Sequence, residues 1–174
     1  EWGKGTSAWM FFEKYIRKIA GFGKASRQKD PSDYDNLNSF IDILVIGSGT
    51  SGINAALSAS KAGSDVMLVE QDFELGGNYL NHQNKHKLNL LKEQLLKYHV
   101  KQKTRTTAFG IYDDKCVALV EKFDPSQMSK NKMRQRLHIC RAKKIILATG
   151  AIERTYAFGN NDLPGIMTVN AGKS

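Results

Sequence analysis

A chain of 174 residues suits one domain, or one domain with an arm, and a chain of this size can bury ~70% of the surface its unfolded form exposes. Apolar residues make up 41% and charged residues 25%, ordinary values for a soluble globular protein, and no apolar run approaches the ~20 residues needed to span a bilayer. The net charge of +9 is concentrated in residues 82–105 (seven Lys or Arg, one acid) and 127–144 (seven Lys or Arg, no acid). No nucleic-acid motif accompanies it, so solvated basic surface is favoured over a nucleic-acid or acidic partner.

Residues 9–20 have helical periodicity, with Trp9, Phe12, Ile16 and Ile19 on one face and Glu13, Lys14, Arg17 and Lys18 elsewhere. A basic amphipathic helix can lie on a membrane, but docking onto another domain or subunit is the preferred reading. Gly21-Phe22-Gly23 stops the helix, and residues 24–39, with Pro31, Asp33, Asp35 and Asn36, read as a linker. The expected division is therefore an N-terminal helical arm and linker over 1–39 and a dinucleotide-binding domain over 40–174. The start at Glu1 and the end at Ser174 suggest a fragment of a longer polypeptide, with that domain incomplete at its C-terminus.

The run Ile41-Asp42-Ile43-Leu44-Val45-Ile46 is a strand leading into Gly47-Ser48-Gly49-Thr50-Ser51-Gly52, three glycines in G-x-G-x-x-G spacing. A helical, alanine-rich segment, Ile53 to Ala62, follows. Strand, glycine turn and helix in that order make a site for the pyrophosphate of a dinucleotide, cradled by backbone amides over residues 47–52. Gly47 allows the sharp exit from the strand, Gly49 the close approach of backbone to phosphate, and Gly52 the tight packing of helix on sheet. The helix N-terminus adds unpaired N–H groups and roughly half a positive charge. Ala55, Ala56 and Ala59 keep the helix slim, and Gly63 fits its stop.

The next strand, Asp65 to Glu70, ends in an acid eighteen residues after Gly52, close to the ~20 expected of a ribose-binding carboxylate. Glu70 would accept hydrogen bonds from the ribose hydroxyls and repel a 2′-phosphate, which disfavours NADP. The segment 71–84 is loop-like. Its Gly76-Gly77 fits either a backbone passing close to the cofactor or an ordinary turn.

Residues 87–98 read as a helix with Leu88, Leu91, Leu95 and Tyr98 on one side, followed by strand-forming runs at Val100–Tyr112, Cys116–Phe123 and Arg134–Ala142. Asp113-Asp114 is a hairpin turn and Ser126–Lys132 a polar loop. Lys144–Gly150 is a buried strand ending in a small-residue turn, so Thr149 and Gly150 could face the crevice of the glycine turn. Cys116 and Cys140, 24 positions apart, fit neither a zinc site nor a redox pair. They read as buried hydrophobes, and their scarcity suits a cytoplasmic protein. His82 and His86 are an i,i+4 pair set in loop-like sequence, and no metal site is expected there. The whole order predicts an α/β, Rossmann-like fold: a parallel sheet with a small antiparallel excursion.

Several blocks carry a resemblance. The glycine turn, the terminal acid, Gly76-Gly77 and Ala148-Thr149-Gly150 are similar to the two-dinucleotide-binding-domain flavoproteins, the glutathione reductase-like group. More specifically, Thr104–Asp113, Ala148–Arg154 with Phe158–Met167, and the arm Trp9–Gly23 resemble the alpha-subunit family of heterotetrameric sarcosine oxidases. That resemblance implies an oxidoreductase complex that demethylates sarcosine to glycine, passes a one-carbon unit to tetrahydrofolate and forms hydrogen peroxide. It implies NAD on this fold, with FAD as the alternative, FMN at the boundary with a partner, and a beta-type flavoprotein subunit carrying the amine-oxidising site. It places Gly47, Gly49, Gly52 and Glu70 on the NAD, with Gly76, Gly77, Ala108, Thr149 and Gly150 lining the same cleft. The absence of a Cys pair after Asn78 disfavours the disulfide-reductase branch. No residue stands out as acid, base or nucleophile, so no catalytic residue is assigned. The competing expectations are a related amino-acid or opine dehydrogenase subunit and, from another class, a basic binding module whose nucleotide fold is only structural.

Overall fold

The computed structural model describes residues 7–21, 27–30, 32–80, 85–124, 133–169 and 171–173. The chain divides into two units, residues 1–31 and 32–174. The first contains helix α1, Ser7–Ile19, with no buried residue and with Arg17 bonded to Glu13 one turn earlier. Gly21, at φ +70°, supports the expected stop, whereas Phe22 and Gly23 lie outside the described residues.

The second unit holds β1 (Asp33–Ile46), α2 (Thr50–Lys61), β2 (Val66–Val69), α3 (Lys85–Lys97), β3 (Lys101–Lys103), β4 (Thr106–Tyr112), β5 (Cys116–Lys122) and β6 (Met133–Leu147). The strands form one mixed sheet in the order β3-β2-β1-β6-β5-β4. The first four are parallel, β5 pairs antiparallel with β6, and β4 pairs antiparallel with β5. The fold is the Rossmann-like parallel sheet with an antiparallel excursion that the chain order predicts.

Three local readings are corrected. Residues 33–39 belong to β1 rather than to a linker, because each pairs with β6 from Asp33↔Met133 onward. Backbone pairing there overrides the turn-forming character of Asp33, Asp35 and Asn36. The single strand expected over Val100–Tyr112 is two, β3 and β4, broken at Arg105, whose φ of +52° turns the chain. Conversely, the two strands expected on either side of Lys143 are one, because β6 pairs with β5 along its first part and with β1 to its end. The hairpin at Asp113-Asp114 is present, as a short 3-10 turn over Asp113–Lys115. The polar loop at 126–132 and His82 of the histidine pair lie outside the described residues.

Alternation along the strands supplies a core on each face of the sheet. One contains Val45, Val66 and Leu68 with Ile53, Ala56 and Leu57 of α2 and Leu88 and Leu95 of α3. The other contains Leu44, Ile46, Met67 and Val69 with Val117 and Leu119 of β5 and Cys140 of β6. Cys140 is buried as expected, and burial pushes its thiol pKa up, whereas Cys116 is half-buried. The sheet coils enough that the start of β4 returns to β2: Thr106 N–H donates to the Glu70 carbonyl (2.8 Å) and Arg105 N–H to that of Asp72 (2.8 Å). This return carries residues of β4 to the carboxyl ends of the parallel strands.

A cleft at the carboxyl ends of the parallel strands

The glycine turn is built by the convergence of β1, β2 and β6. Gly47 N–H donates to the Val69 carbonyl (2.9 Å), and Ala148 N–H donates to the Ile46 carbonyl (2.8 Å). Gly47 has φ +98°, and a Cβ there would lie 2.3 Å from the Ala148 carbonyl oxygen, so the bend admits only glycine. A Cβ on Gly52, in the first turn of α2, would lie 1.8 Å from the Gly47 carbonyl oxygen, so helix and turn touch backbone to backbone. Gly49 differs. Its φ of −66° and ψ of −172° are open to any L residue. Nothing lies within 4 Å of the Cβ it lacks. Neither conformation nor packing requires glycine at this position; a side chain would project into open cleft.

That cleft has a volume of about 530 Å³. Of the twelve expected site residues, it is lined by Gly47, Ser48, Gly49, Thr50, Ser51, Glu70, Gly77, Ala108, Thr149 and Gly150. Gly52 and Gly76 are not on its wall. Gly52 sits behind the turn, and a Cβ on Gly76 would meet Leu88 Cδ2 at 2.8 Å, so Gly76 faces the core. At Gly77, whose φ is +50°, a Cβ would lie 3.1 Å from Gly49 Cα, so this glycine lets one loop lie against the other at the cleft. Asp72, Asn78, Thr106 and Thr107 also line the cleft and escaped the sequence reading. Thr106 and Thr107 reach it through the return of β4 to β2, a tertiary pairing with no local signature.

Two carboxylates line the cleft, the exposed Asp72 and Glu70, which is 9% exposed. Glu70 Oε2 accepts two hydrogen bonds from one residue, the fully buried Ser48: from Oγ at 2.6 Å and from the backbone N–H at 2.8 Å. Its Oε1 accepts the Asp72 N–H at 3.2 Å. Burial alone would raise the carboxyl pKa; the hydrogen bonds from Ser48, Asp72 and Gln71 outweigh it and hold the group below the usual glutamate value. Two residues beyond Ser48, α2 begins at Thr50 with no acidic residue in its first turn and no side chain bonded to its cap. An anion at that end meets free N–H groups and the positive end of the helix dipole.

A further, half-buried carboxylate lies outside the cleft. Glu121 of β5 takes Lys103 Nζ at 3.0 Å and His138 Nε2 at 2.7 Å, with His138 2% exposed. Burial pushes its pKa up, and the His138 and Lys103 contacts more than reverse this. Among the described residues no group of three or more His, Cys, Asp or Glu side chains is placed to hold a metal ion, and no helix is long and apolar enough to cross a membrane.

The fold and cleft thus define an α/β domain of the kind that takes ligands at the carboxyl ends of its parallel strands. The chain belongs to the FAD dependent oxidoreductase family, whose model matches residues 42–150. It is 36% identical over 170 residues (92% of its length) to the sarcosine oxidase subunit alpha of Rhizobium meliloti (strain 1021). It is 31% identical over 169 residues (90%) to the subunit of the same name from Corynebacterium sp. (strain U-96). The chain spans 17% of the length of each of these relatives. Among solved structures it is similar to L-proline dehydrogenase from P. horikoshii, with a TM-score of 0.53 and 28% identity, over 77% of this chain and 27% of that one.

Proposed function

We propose that this chain is the dinucleotide-binding part of a sarcosine oxidase-like alpha subunit, and that its cleft holds the ADP half of an adenine dinucleotide. The observation that carries the reading is Gly49, a glycine that neither fold nor packing requires, facing open space beside the N-terminus of α2. The N–H groups of Gly47 and Ser48 are taken by Val69 and Glu70, so the backbone amides of residues 49–52 would hold the pyrophosphate, and Glu70 would accept the ribose hydroxyls. Gly77, Ala108, Thr149 and Gly150 would bound the cleft, with Gly52 and Gly76 supporting its walls from behind. The match to a flavin-dependent family supports FAD over the NAD that the subunit resemblance implies. When bound, FAD would supply two-electron redox chemistry; this chain's own part is to bind, orient and shield the nucleotide.

In the parent assembly this reading implies oxidative demethylation of sarcosine to glycine. The one-carbon unit passes to tetrahydrofolate, and hydrogen peroxide is released. It also implies a beta-type flavoprotein partner, FMN at their shared boundary and a cytoplasmic setting. The division into an N-terminal arm and a dinucleotide-binding domain belongs to the same proposal, with the boundary before β1 rather than at 39/40. The similarity to L-proline dehydrogenase favours a second reading, a subunit of a related amino-acid dehydrogenase. Both readings need the nucleotide. Purified full chain, denatured and analysed by absorbance and mass spectrometry, should release an adenine dinucleotide, and its mass separates FAD from NAD. Absence of any such nucleotide, together with no binding of added ADP, FAD or NAD, overturns the proposal. Turnover of sarcosine but not proline by the assembled enzyme separates the two substrates.

A further inference from the structure

The turn that faces the cleft is also tied to the carboxylate that faces it, and one residue makes both ends of the tie. Ser48 is fully buried, so its hydroxyl cannot be satisfied by solvent. Its single O–H is committed to Glu70 Oε2, and its own N–H goes to the same oxygen. Its oxygen accepts the Gly76 N–H at 3.2 Å. Three segments that meet nowhere in sequence, the glycine turn, the end of β2 and the loop with Gly76-Gly77, therefore share one hydroxyl. Two donors at 2.6 and 2.8 Å fill Oε2, while Oε1 accepts the Asp72 N–H at the longer distance of 3.2 Å.

We propose that Ser48 is a positioning residue for ribose recognition: by saturating Oε2 of Glu70 it turns Oε1 toward the cleft as the acceptor for the ribose hydroxyls of an adenine nucleotide. The inference rests on the dinucleotide reading and adds to it the side chain that sets its ribose specificity. Without the Ser48 hydroxyl, Glu70 keeps its charge and its backbone N–H donors but loses the shortest of the contacts that fix its orientation. The loss then falls on ligands with ribose hydroxyls and spares those without them. A hydroxyl that served only to brace the loop would affect both alike.

The test compares ADP with 2′,3′-dideoxy-ADP, titrated calorimetrically into nucleotide-free full chain. Wild type should prefer ADP by about tenfold or more, the worth of one charge-assisted hydrogen bond. Ser48→Ala should bring the two affinities to within about twofold of each other, mainly by weakening ADP. Ser48→Cys, which keeps the size but donates weakly, should fall between them and serves where the alanine variant does not fold. The pH profile gives a second readout: the wild-type preference for ADP should shrink as pH falls through the Glu70 titration, and dideoxy-ADP should show no such dependence. Equal losses for both nucleotides in the variants, or an undiminished preference for ADP, overturn the positioning role and leave the dinucleotide reading intact. Failure of wild type to bind either nucleotide overturns both.

Discussion

Two glutamates, Glu70 buried and Glu121 half-buried, are satisfied in opposite ways. Glu121, in the antiparallel part of the sheet, is bonded to Lys103 and His138, and the Arg136 guanidinium lies 3.9 Å away. Glu70, at the end of β2, receives only neutral donors: one hydroxyl and backbone N–H groups. Both arrangements hold the carboxyl pKa below its usual value, yet they leave different things behind. The charge of Glu121 is met inside the fold. The charge of Glu70 is oriented but not neutralised, and it faces a cleft. A carboxylate surrounded by cations belongs to stability; one fixed by dipoles keeps its charge for a ligand.

Substitutions should separate the two regions, and the largest effect is expected at the cleft. Gly49→Val fits the backbone and its Cβ meets no protein atom, so the chain should fold with a stability within about 1 kcal/mol of wild type. It should still abolish nucleotide binding by keeping phosphate off the amides. Two lost charge-assisted bonds at about 1.5–3 kcal/mol each correspond to a fall of about a hundredfold or more. Unchanged affinity for ADP by calorimetry would remove residues 47–52 from the site. At the other carboxylate, Glu121→Gln should show the reverse pattern. Unfolding in urea should reveal a loss of about 2–3 kcal/mol, because Lys103 and His138 keep their positions without a negative partner, and ADP affinity should be unchanged. A nucleotide effect there would break the contrast between the two sites.

Much of this contrast was legible in the chain because it is local. The glycine spacing, the strand before it and the acid closing β2 all lie within thirty consecutive residues, where steric demands act on near neighbours. Gly47 and Gly52 carry out the jobs their spacing suggests. What escaped depends on pairing over long separations. The early start of β1 is visible only beside β6, a hundred residues later in the register Asp33↔Met133. Glu121, Lys103 and His138 come from three strands, and none stands in a motif. Thr106 and Thr107 reach the cleft only because β4 returns to β2. The double task of Ser48 was hidden for another reason: in sequence it occupies a variable position of the glycine turn, and its value appears only with Glu70 beside it.

That double task also alters what Glu70→Ala should do. Losing the ribose acceptor should weaken ADP by about 1.5–3 kcal/mol. The substitution also strips the partner from a buried hydroxyl and a buried N–H of Ser48, which should destabilise the fold by a further 1–3 kcal/mol or so. Glu70 is thus the residue at which binding and stability fall together, unlike Gly49 or Glu121. Loss of affinity with no loss of stability would mean that Ser48 finds another acceptor.

The smallest effect is in pH. Both carboxyls titrate below their ordinary value of 4.5 in the folded chain. A depressed folded pKa adds stability that is fully present above the unfolded value and is lost as pH falls through the folded one. Wild type should therefore lose stability in urea as pH falls below the ordinary carboxylate value of 4.5, and Glu121→Gln should show a shallower loss over the same range. Saturating ADP distinguishes the carboxylates further. If Glu70 accepts the ribose hydroxyls, the nucleotide binds the ionised form more tightly, and its stabilisation of the fold should shrink as pH falls below the ordinary carboxylate value. Glu121→Gln should leave that shrinkage unchanged, because the charge it removes is already matched within the protein. If Glu121→Gln abolishes the shrinkage instead, the carboxylate that senses the nucleotide is the one between the strands, and the assignment of roles is reversed.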